Sequence, residues 1–95
     1  MIPKTFQLGG RTWRVKRRVT GRPKKEYGRT SGNRCVIELT VKNKTEESEE
    51  HTFYHELAHA IGFTMGWKRL IKDEEKVDAI GGLLRQFITT ASFED

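Results

Sequence analysis

The chain has 95 residues, of which 35% are hydrophobic and 33% charged, and this suits one small domain with a modest core. A single cysteine excludes an internal disulfide framework and fits a reducing compartment. The N-terminal residues lack the apolar segment of a secretory signal, and no apolar run approaches the roughly 18 residues of a membrane span. We therefore expect one cytoplasmic domain over residues 1–95, with no membrane contact.

The net charge of +5 conceals two halves of opposite sign. Residues 1–44 carry 13 Lys and Arg against two acids, a net of +11, whereas residues 45–95 carry five against 11, a net of −6. We expect a basic β-rich part followed by an acidic helical part. The basic part can attract nucleic acid, and it can equally complement the acidic part within the fold.

The basic part begins with a strand pattern. Residues 5–8 and 12–19 alternate apolar and polar side chains, and the Gly-Gly pair between them is typical of a tight turn. This predicts a β-hairpin with one basic face. A polar loop at residues 20–25 and a short strand at residues 27–29 follow, before a turn at residues 31–33.

The clearest strand covers residues 35–41, where Cys35, Ile37 and Leu39 share one face. We expect that face to pack on the helix that follows. Cys35 is interpreted as a small buried hydrophobe and is left out of any site. This strand is also where we expect an exposed sheet edge to pair with an extended peptide.

Glutamates mark the start of the first predicted helix. Thr45 or Ser48 can cap it, and the acids that follow fall in its first turns, where the helix dipole favours negative charge. We expect the helix to run to about Gly66. His51, one turn before the next histidine, is expected to face solvent, with a contact to the substrate as the alternative.

This helix contains His55-Glu56-Leu57-Ala58-His59, a pattern that a random shuffle of the sequence would show about one time in a hundred. Histidines four residues apart lie on one helix face, so both imidazoles can reach one ion. A carboxylate between them can take a proton from zinc-bound water. The pattern predicts one Zn²⁺ per chain, held by His55 and His59, with Glu56 as general base.

A second amphipathic helix is predicted over residues 73–90 from an apolar stripe at helical spacing, formed by Val77, Ile80, Leu84, Phe87 and Ile88. Because no histidine follows His59, we expect an acidic third ligand from this helix. On a helical wheel Glu74 lies about 80° from the centre of the stripe, whereas Glu75 points away from the core. Glu74 is therefore the predicted ligand, with Glu75 as the fallback.

The same flank of the second helix carries two further residues of interest. Asp78, one turn after Glu74, is predicted to accept a hydrogen bond from a ligating histidine and to orient its ring. Gly81, with Gly82 beside it, would let the two helices approach closely.

An HExxH helix followed by a helix with Glu-x-x-x-Asp resembles the gluzincin-type zinc metallopeptidases. The segments 55–59 and 74–78 match these two motifs residue by residue. Within this group the chain is most similar to the small phage and prophage proteases of the ImmA/IrrE kind, over roughly residues 35–88. The longer metzincin pattern fits only as far as Gly62, because Met65 stands where that pattern requires a metal ligand.

The motifs and the resemblance lead to one fold prediction and one functional prediction. We expect a minimal zincin: an α+β fold with a small three- to four-stranded, mostly antiparallel sheet packed on the HExxH helix and a C-terminal helix. We expect a phage-like zinc endopeptidase acting on protein or peptide substrates, with His51 and Tyr54 as candidate stabilisers of the transition state. The alternative is a nucleic-acid-binding or protein-interaction module with a structural zinc site and no protease activity. It is motivated by the basic N-terminal hairpin and the segment after it, where Trp13 and Tyr27 lie among arginines.

Overall fold

The structure, a computed structural model, describes residues 1–18, 27–41 and 44–94. These residues form β1 (Thr5–Leu8), β2 (Arg11–Arg18), β3 (Gly28–Ser31), β4 (Val36–Thr40), α1 (Glu46–Met65), α2 (Lys68–Lys72) and α3 (Glu74–Thr90). The fold is α+β, as predicted: a four-stranded, mixed but mostly antiparallel sheet packs against two main helices, α1 and α3. The predicted loop at residues 20–25 lies outside the described residues, as does Val19 at the end of the second predicted strand.

The strands are arranged in the order β1-β2-β4-β3. β1 and β2 form the predicted antiparallel hairpin, with Phe6 opposite Trp13. Gly9 and Gly10 turn the chain at φ values of 58° and 78°, in the left-handed region that glycine adopts without a steric penalty. β4 then pairs with β2 in parallel and with β3 antiparallel. β4 is therefore an inner strand.

The prediction that residues 35–41 offer an exposed edge is wrong, because β4 has a paired strand on each side. Among the described residues β3 pairs only with β4, so β3 is the sheet edge next to α1. A parallel pair such as β2 and β4 needs a long connection, and no local periodicity encodes it. Cys35 lies in the turn before β4 with a φ of 54°. Its side chain is buried at 4% exposure, which confirms its interpretation as a small hydrophobe.

Helix α1 begins and ends where the sequence indicates. The backbone N–H of Ser48 donates to Oγ1 of Thr45 at 3.0 Å, so Thr45 is the N-cap. Acidic residues fill the first turn. Gly66 ends the helix with a φ of 72°, and its N–H bonds back to the last turn.

The short helix α2, which the sequence analysis did not predict, leads directly into α3. Asp73 caps α3 by accepting from the backbone N–H of Lys76 at 3.1 Å. The two main helices meet at Gly81, where an added Cβ would lie 2.7 Å from the carbonyl oxygen of Tyr54 and 2.9 Å from the Cα of His55. The predicted close approach at Gly81 is confirmed, and it brings the start of α3 beside the histidines of α1.

The core fills the space between the sheet and α1. Trp13, Phe53 and Ile37 are at most 2% exposed, and the ring of Phe6 stacks on Trp13 at 6.1 Å between centroids. Trp13 is therefore unavailable for stacking on a nucleic-acid base. Of the predicted apolar stripe on α3, Val77 is fully buried.

The C-terminal end of that stripe is an exception. Phe87 and Ile88 remain 60% and 49% exposed, because the core cluster on which α3 packs extends only to Leu84.

Among the described residues no helix combines the length and the apolar character needed to cross a membrane.

Candidate metal centre

His55, His59 and Glu74 meet at the interface of α1 and α3. One ligand atom from each side chain lies within 4.8 Å of the other two. Nε2 of His55 is 2.8 Å from Oε2 of Glu74, and Nε2 of His59 is 3.0 Å from Oε1. Ligand atoms at about 2.1 Å from a tetrahedral ion stand about 3.4 Å apart, so small side-chain movements would admit zinc. The donor set and its spacing fit the ion.

The third member of this group is Glu74, as predicted, and not Glu75. Glu74 is the first residue of α3 and directly follows the cap residue Asp73. The close approach of the two helices at Gly81 places this end of α3 beside α1. Glu75, one residue further round the helix, is exposed and does not belong to the group. Both histidine side chains are largely buried, at 20% and 15% exposure, whereas the Glu74 side chain is 67% exposed. The centre is thus open on the side of Glu74.

Asp78 lies on the same flank of α3 as Glu74, one turn later, as the helical wheel predicted. Its Oδ1 is 3.0 Å from Nδ1 of His55, so an N–H at Nδ1 donates to the carboxylate and leaves Nε2 facing Glu74. Burial alone would lower the pKa of His55, but the hydrogen bonds to Asp78 and Glu74 outweigh it and raise this pKa. The same interactions that favour the imidazolium also fix the orientation of the ring.

Glu56 sits beside the histidines with only 8% of its surface exposed. Its Oε1 accepts a hydrogen bond of 2.7 Å from the hydroxyl of Thr30 on β3. β3 can come this close because Gly28 has no side chain: a Cβ there would lie 2.8 Å from Cγ2 of Thr52 and 3.0 Å from Cγ of Glu56. The sheet edge and the candidate general base are therefore in direct contact.

Sequence reasoning missed Thr30, because the orientation of its side chain follows from strand pairing. Thr30 is the register partner of Ile37, which is fully buried, and directly paired residues point to the same side of a sheet. Without knowing that β3 pairs with β4, the pattern of residues 27–31 gave no reason to place this hydroxyl near α1.

These residues line an open cleft of about 890 Å³ between β3 on one side and α2 and α3 on the other, with α1 as its floor. His51 lies at its border, with a side chain that is 58% exposed and Nε2 at 3.4 Å from Oδ1 of Asp78. Phe63 packs against Gly32, where a Cβ would lie 2.3 Å from the ring. Together with Ile71, Phe63 gives the cleft an apolar part that the sequence analysis did not predict.

Tyr54 is not brought to the cleft. Its side chain is 9% exposed, its ring lies edge-on to Phe53 at 5.0 Å, and burial raises the pKa of its hydroxyl. Tyr27 lies in the cleft wall instead, 52% exposed, with Nζ of Lys44 3.4 Å from its ring centroid. Of the two tyrosines of the chain, only Tyr27 lines this cleft.

Comparison of the chain with known protein families, with curated proteins and with solved structures gives no match.

Proposed function

We propose that the chain is a zinc-dependent endopeptidase. The observation that carries the proposal is the convergence of His55, His59 and Glu74 beside the buried carboxylate of Glu56, in one open cleft. Two histidines and one glutamate form a donor set that catalytic zinc sites use with a fourth position for water. Because Glu74 and Asp78 come from a separate helix, the arrangement supports the gluzincin type.

A purely structural zinc site is a poorer interpretation of this centre. Structural zinc sites are closed by four protein ligands. Among the described residues the group has three members, and it opens into the cleft on the side of Glu74. Cys35, the one cysteine of the chain, is buried in the core cluster. An open position beside a positioned carboxylate favours catalysis.

Each residue of the site has a defined task in peptide hydrolysis. His55, His59 and Glu74 would hold a zinc ion, which would supply a Lewis acid to polarise a peptide carbonyl and to acidify water. Glu56 accepts the proton of the attacking water and returns it to the leaving amine. The hydroxyl of Thr30 donates a hydrogen bond to Oε1 of Glu56, and no other described residue hydrogen-bonds to this carboxylate. Oε2 is therefore available to accept the proton. Asp78 keeps the His55 ring oriented for binding.

The substrate of such a site is an extended peptide segment. β3 forms one wall of the cleft, and among the described residues its outer edge has no paired strand. An extended peptide can add to that edge through main-chain hydrogen bonds, which places its carbonyls near Glu56. The apolar part of the cleft, with Phe63 and Ile71, favours a hydrophobic side chain in the bound peptide.

Zinc analysis of variants tests the metal site. We expect about one zinc per purified chain, a large loss of zinc affinity in Glu74→Ala, and unchanged affinity in Glu75→Ala, because only Glu74 faces the histidines. Failure of the wild-type protein to bind zinc would refute the site. Equal zinc affinity in the two variants would refute the assignment of Glu74.

Peptide cleavage tests the chemistry separately. Glu56→Gln removes the proton acceptor but keeps the shape of the side chain, so zinc content should persist while kcat falls about 10²- to 10⁴-fold. Glu47→Gln is the matched control, since Glu47 is an exposed glutamate of the same helix. A screen against unfolded proteins supplies the substrate. Cleavage by Glu56→Gln at the wild-type rate would contradict the role of Glu56.

A further inference from the structure

The contacts between β3 and α1 give the wall of the cleft a direction. At the start of β3, a Cβ added to Gly28 would lie 2.8 Å from Cγ2 of Thr52. Just beyond the end of β3, a Cβ added to Gly32 would lie 2.3 Å from the ring of Phe63, which is further along α1. The contacts follow the same order in both elements. The strand and the helix therefore run in the same direction along the cleft.

The main-chain groups at the outer edge of β3 can be assigned from its pairing with β4. The backbone N–H of Thr40 donates to the carbonyl oxygen of Tyr27 at 2.9 Å, so these two residues form a hydrogen-bonded pair. Such pairs alternate with non-hydrogen-bonded pairs along antiparallel strands. The N–H and C=O groups of Gly28 and Thr30 therefore point to the outer edge. A peptide residue opposite Thr30 would lie beside Glu56, which accepts from the Thr30 hydroxyl.

This direction fixes which end of the cleft receives which part of an added peptide. Antiparallel pairing is the more stable arrangement for an added strand. The amino end of the peptide then lies toward Phe63 and its carboxyl end toward His51. The residue opposite Gly32 is two places on the amino side of the residue opposite Thr30. Because Ile71 contacts α1 next to Phe63, the apolar part of the cleft receives residues on the amino side of the scissile bond.

Lys72 adds a positive charge beside this apolar part. It lines the cleft and stands in the chain between Ile71 and the candidate ligand Glu74. The two acids that follow it are engaged elsewhere. Asp73 accepts from the backbone N–H of Lys76 at 3.1 Å, and Glu74 faces the two histidines. Lys72 is exposed and forms no ion pair with a described residue, so its ammonium group is available to a bound peptide.

We propose that Lys72 is a specificity-determining residue, which selects Asp or Glu at the first or second position on the amino side of the scissile bond, next to a hydrophobic residue. This inference rests on the proposed peptidase function. The ammonium group attracts a carboxylate and repels Lys or Arg, so one residue both favours and disfavours substrates. Since charge pairs in open surroundings are weak, this preference ranks the sites within an extended segment and does not replace the need for one.

Cleavage-site mapping with the zinc-loaded full chain tests the proposal. Digestion of a peptide library, followed by mass spectrometry, should show Asp and Glu enriched at one of these two positions and not on the carboxyl side. Three synthetic peptides that differ only at that position, with Glu, Gln or Lys, then give kcat/KM. The value for the Glu peptide should exceed that for the Lys peptide about five- to twentyfold at low salt, and the ratio should shrink at high salt.

Charge variants of α2 show whether Lys72 is responsible. Lys72→Glu should invert the order of the three peptides, and Lys72→Gln should abolish the preference. The matched control is Lys68→Glu, the same change at an exposed lysine of the same helix that does not line the cleft. It should keep the wild-type order. Fluorescence anisotropy with the zinc-loaded Glu56→Gln variant should rank the affinities of labelled peptides in the same order, independently of turnover.

The outcomes separate this inference from the proposed function. Cleavage that depends on Glu56 but shows no acidic preference, or shows it on the carboxyl side, would overturn the role of Lys72 and leave the peptidase function standing. An inversion in Lys68→Glu equal to that in Lys72→Glu would also overturn it, because net charge and not this position would then decide. Absence of any cleavage that depends on Glu56 would refute the peptidase function itself, and the role of Lys72 with it.

Discussion

Replacing Gly81 by alanine should separate the helices that carry the candidate metal ligands. The added Cβ would lie 2.7 Å from the Tyr54 carbonyl oxygen and 2.9 Å from the Cα and backbone nitrogen of His55. Unstrained contacts of this kind are about 3.5 Å or longer, so α3 must move away from α1 by roughly 0.5–1 Å. All three neighbouring atoms belong to the backbone, which cannot turn aside as a side chain would.

The expected loss of stability combines two opposing effects. Overpacking costs about 1–3 kcal/mol, and a rigid backbone neighbour places this site in the upper half of that range. Alanine has a higher helix propensity than glycine, which returns about 1 kcal/mol. The free energy of unfolding should therefore fall by about 1–2 kcal/mol, which lowers Tm by roughly 5–15 °C in a domain of this size.

Zinc binding provides the second measurement for this variant. Metal–ligand distances tolerate deviations of only about 0.2 Å, less than the expected shift of α3 with Glu74 and Asp78. Competition with a chelating dye should show at least a tenfold loss of zinc affinity. Gly82→Ala is the matched control, because its Cβ would meet nothing within 4 Å. It should raise stability by about 0.5–1 kcal/mol. If Gly81→Ala melts as high as Gly82→Ala, Gly81 does not set the helix spacing.

Two further predictions concern the contacts of the site. Thr30→Val removes the hydroxyl that donates to Glu56, so the kcat of the proposed peptidase should fall about tenfold with unchanged zinc content. Thr30→Ser should restore kcat, and the control Thr12→Val, at an exposed position of β2, should leave it unchanged. A normal kcat in Thr30→Val would rule out a positioning role for Thr30. The raised pKa of His55 means that the metal-free folded protein binds the His55 proton more tightly than the unfolded chain does. Protonation of His55 therefore stabilises the fold, fully below about pH 6.5, and this stabilisation is lost as the pH rises through the raised pKa. Thermal melts of metal-free protein between about pH 6 and 8 should show Tm falling with pH, with a weaker dependence in Asp78→Asn; the same slope in both would contradict the role of this hydrogen bond.

The features that local sequence signals encode were predicted well. The Gly-Gly turn of the hairpin, the Thr45 cap and the end of α1 at Gly66 each depend on a few neighbouring residues. The position of Glu74 relative to the apolar stripe of α3 also follows from helical periodicity. These signals were sufficient to predict that the three candidate ligands and Asp78 lie close together.

The features that depend on the pairing of β4 with β2 and β3 were not predicted. The parallel pairing of β2 with β4 moves β4 into the sheet and leaves β3 at the edge, and no residue pattern within either strand specifies that choice. The contact between Thr30 and Glu56, 26 residues apart, is a direct result of this topology. Phe87 was expected in the core because periodicity gives the direction of a side chain but not whether a neighbouring element covers it.

The shortness of β3 limits what the proposed peptidase can act on. The strand has four residues, from Gly28 to Ser31, and thus offers a docking edge of about 13 Å. Only a segment that is already extended over several residues can lie along it, and a folded helix or a paired strand cannot. Target selection would then depend on whether a protein exposes an unstructured stretch, so that the conformational state of the target, more than its sequence, decides which chains are cut.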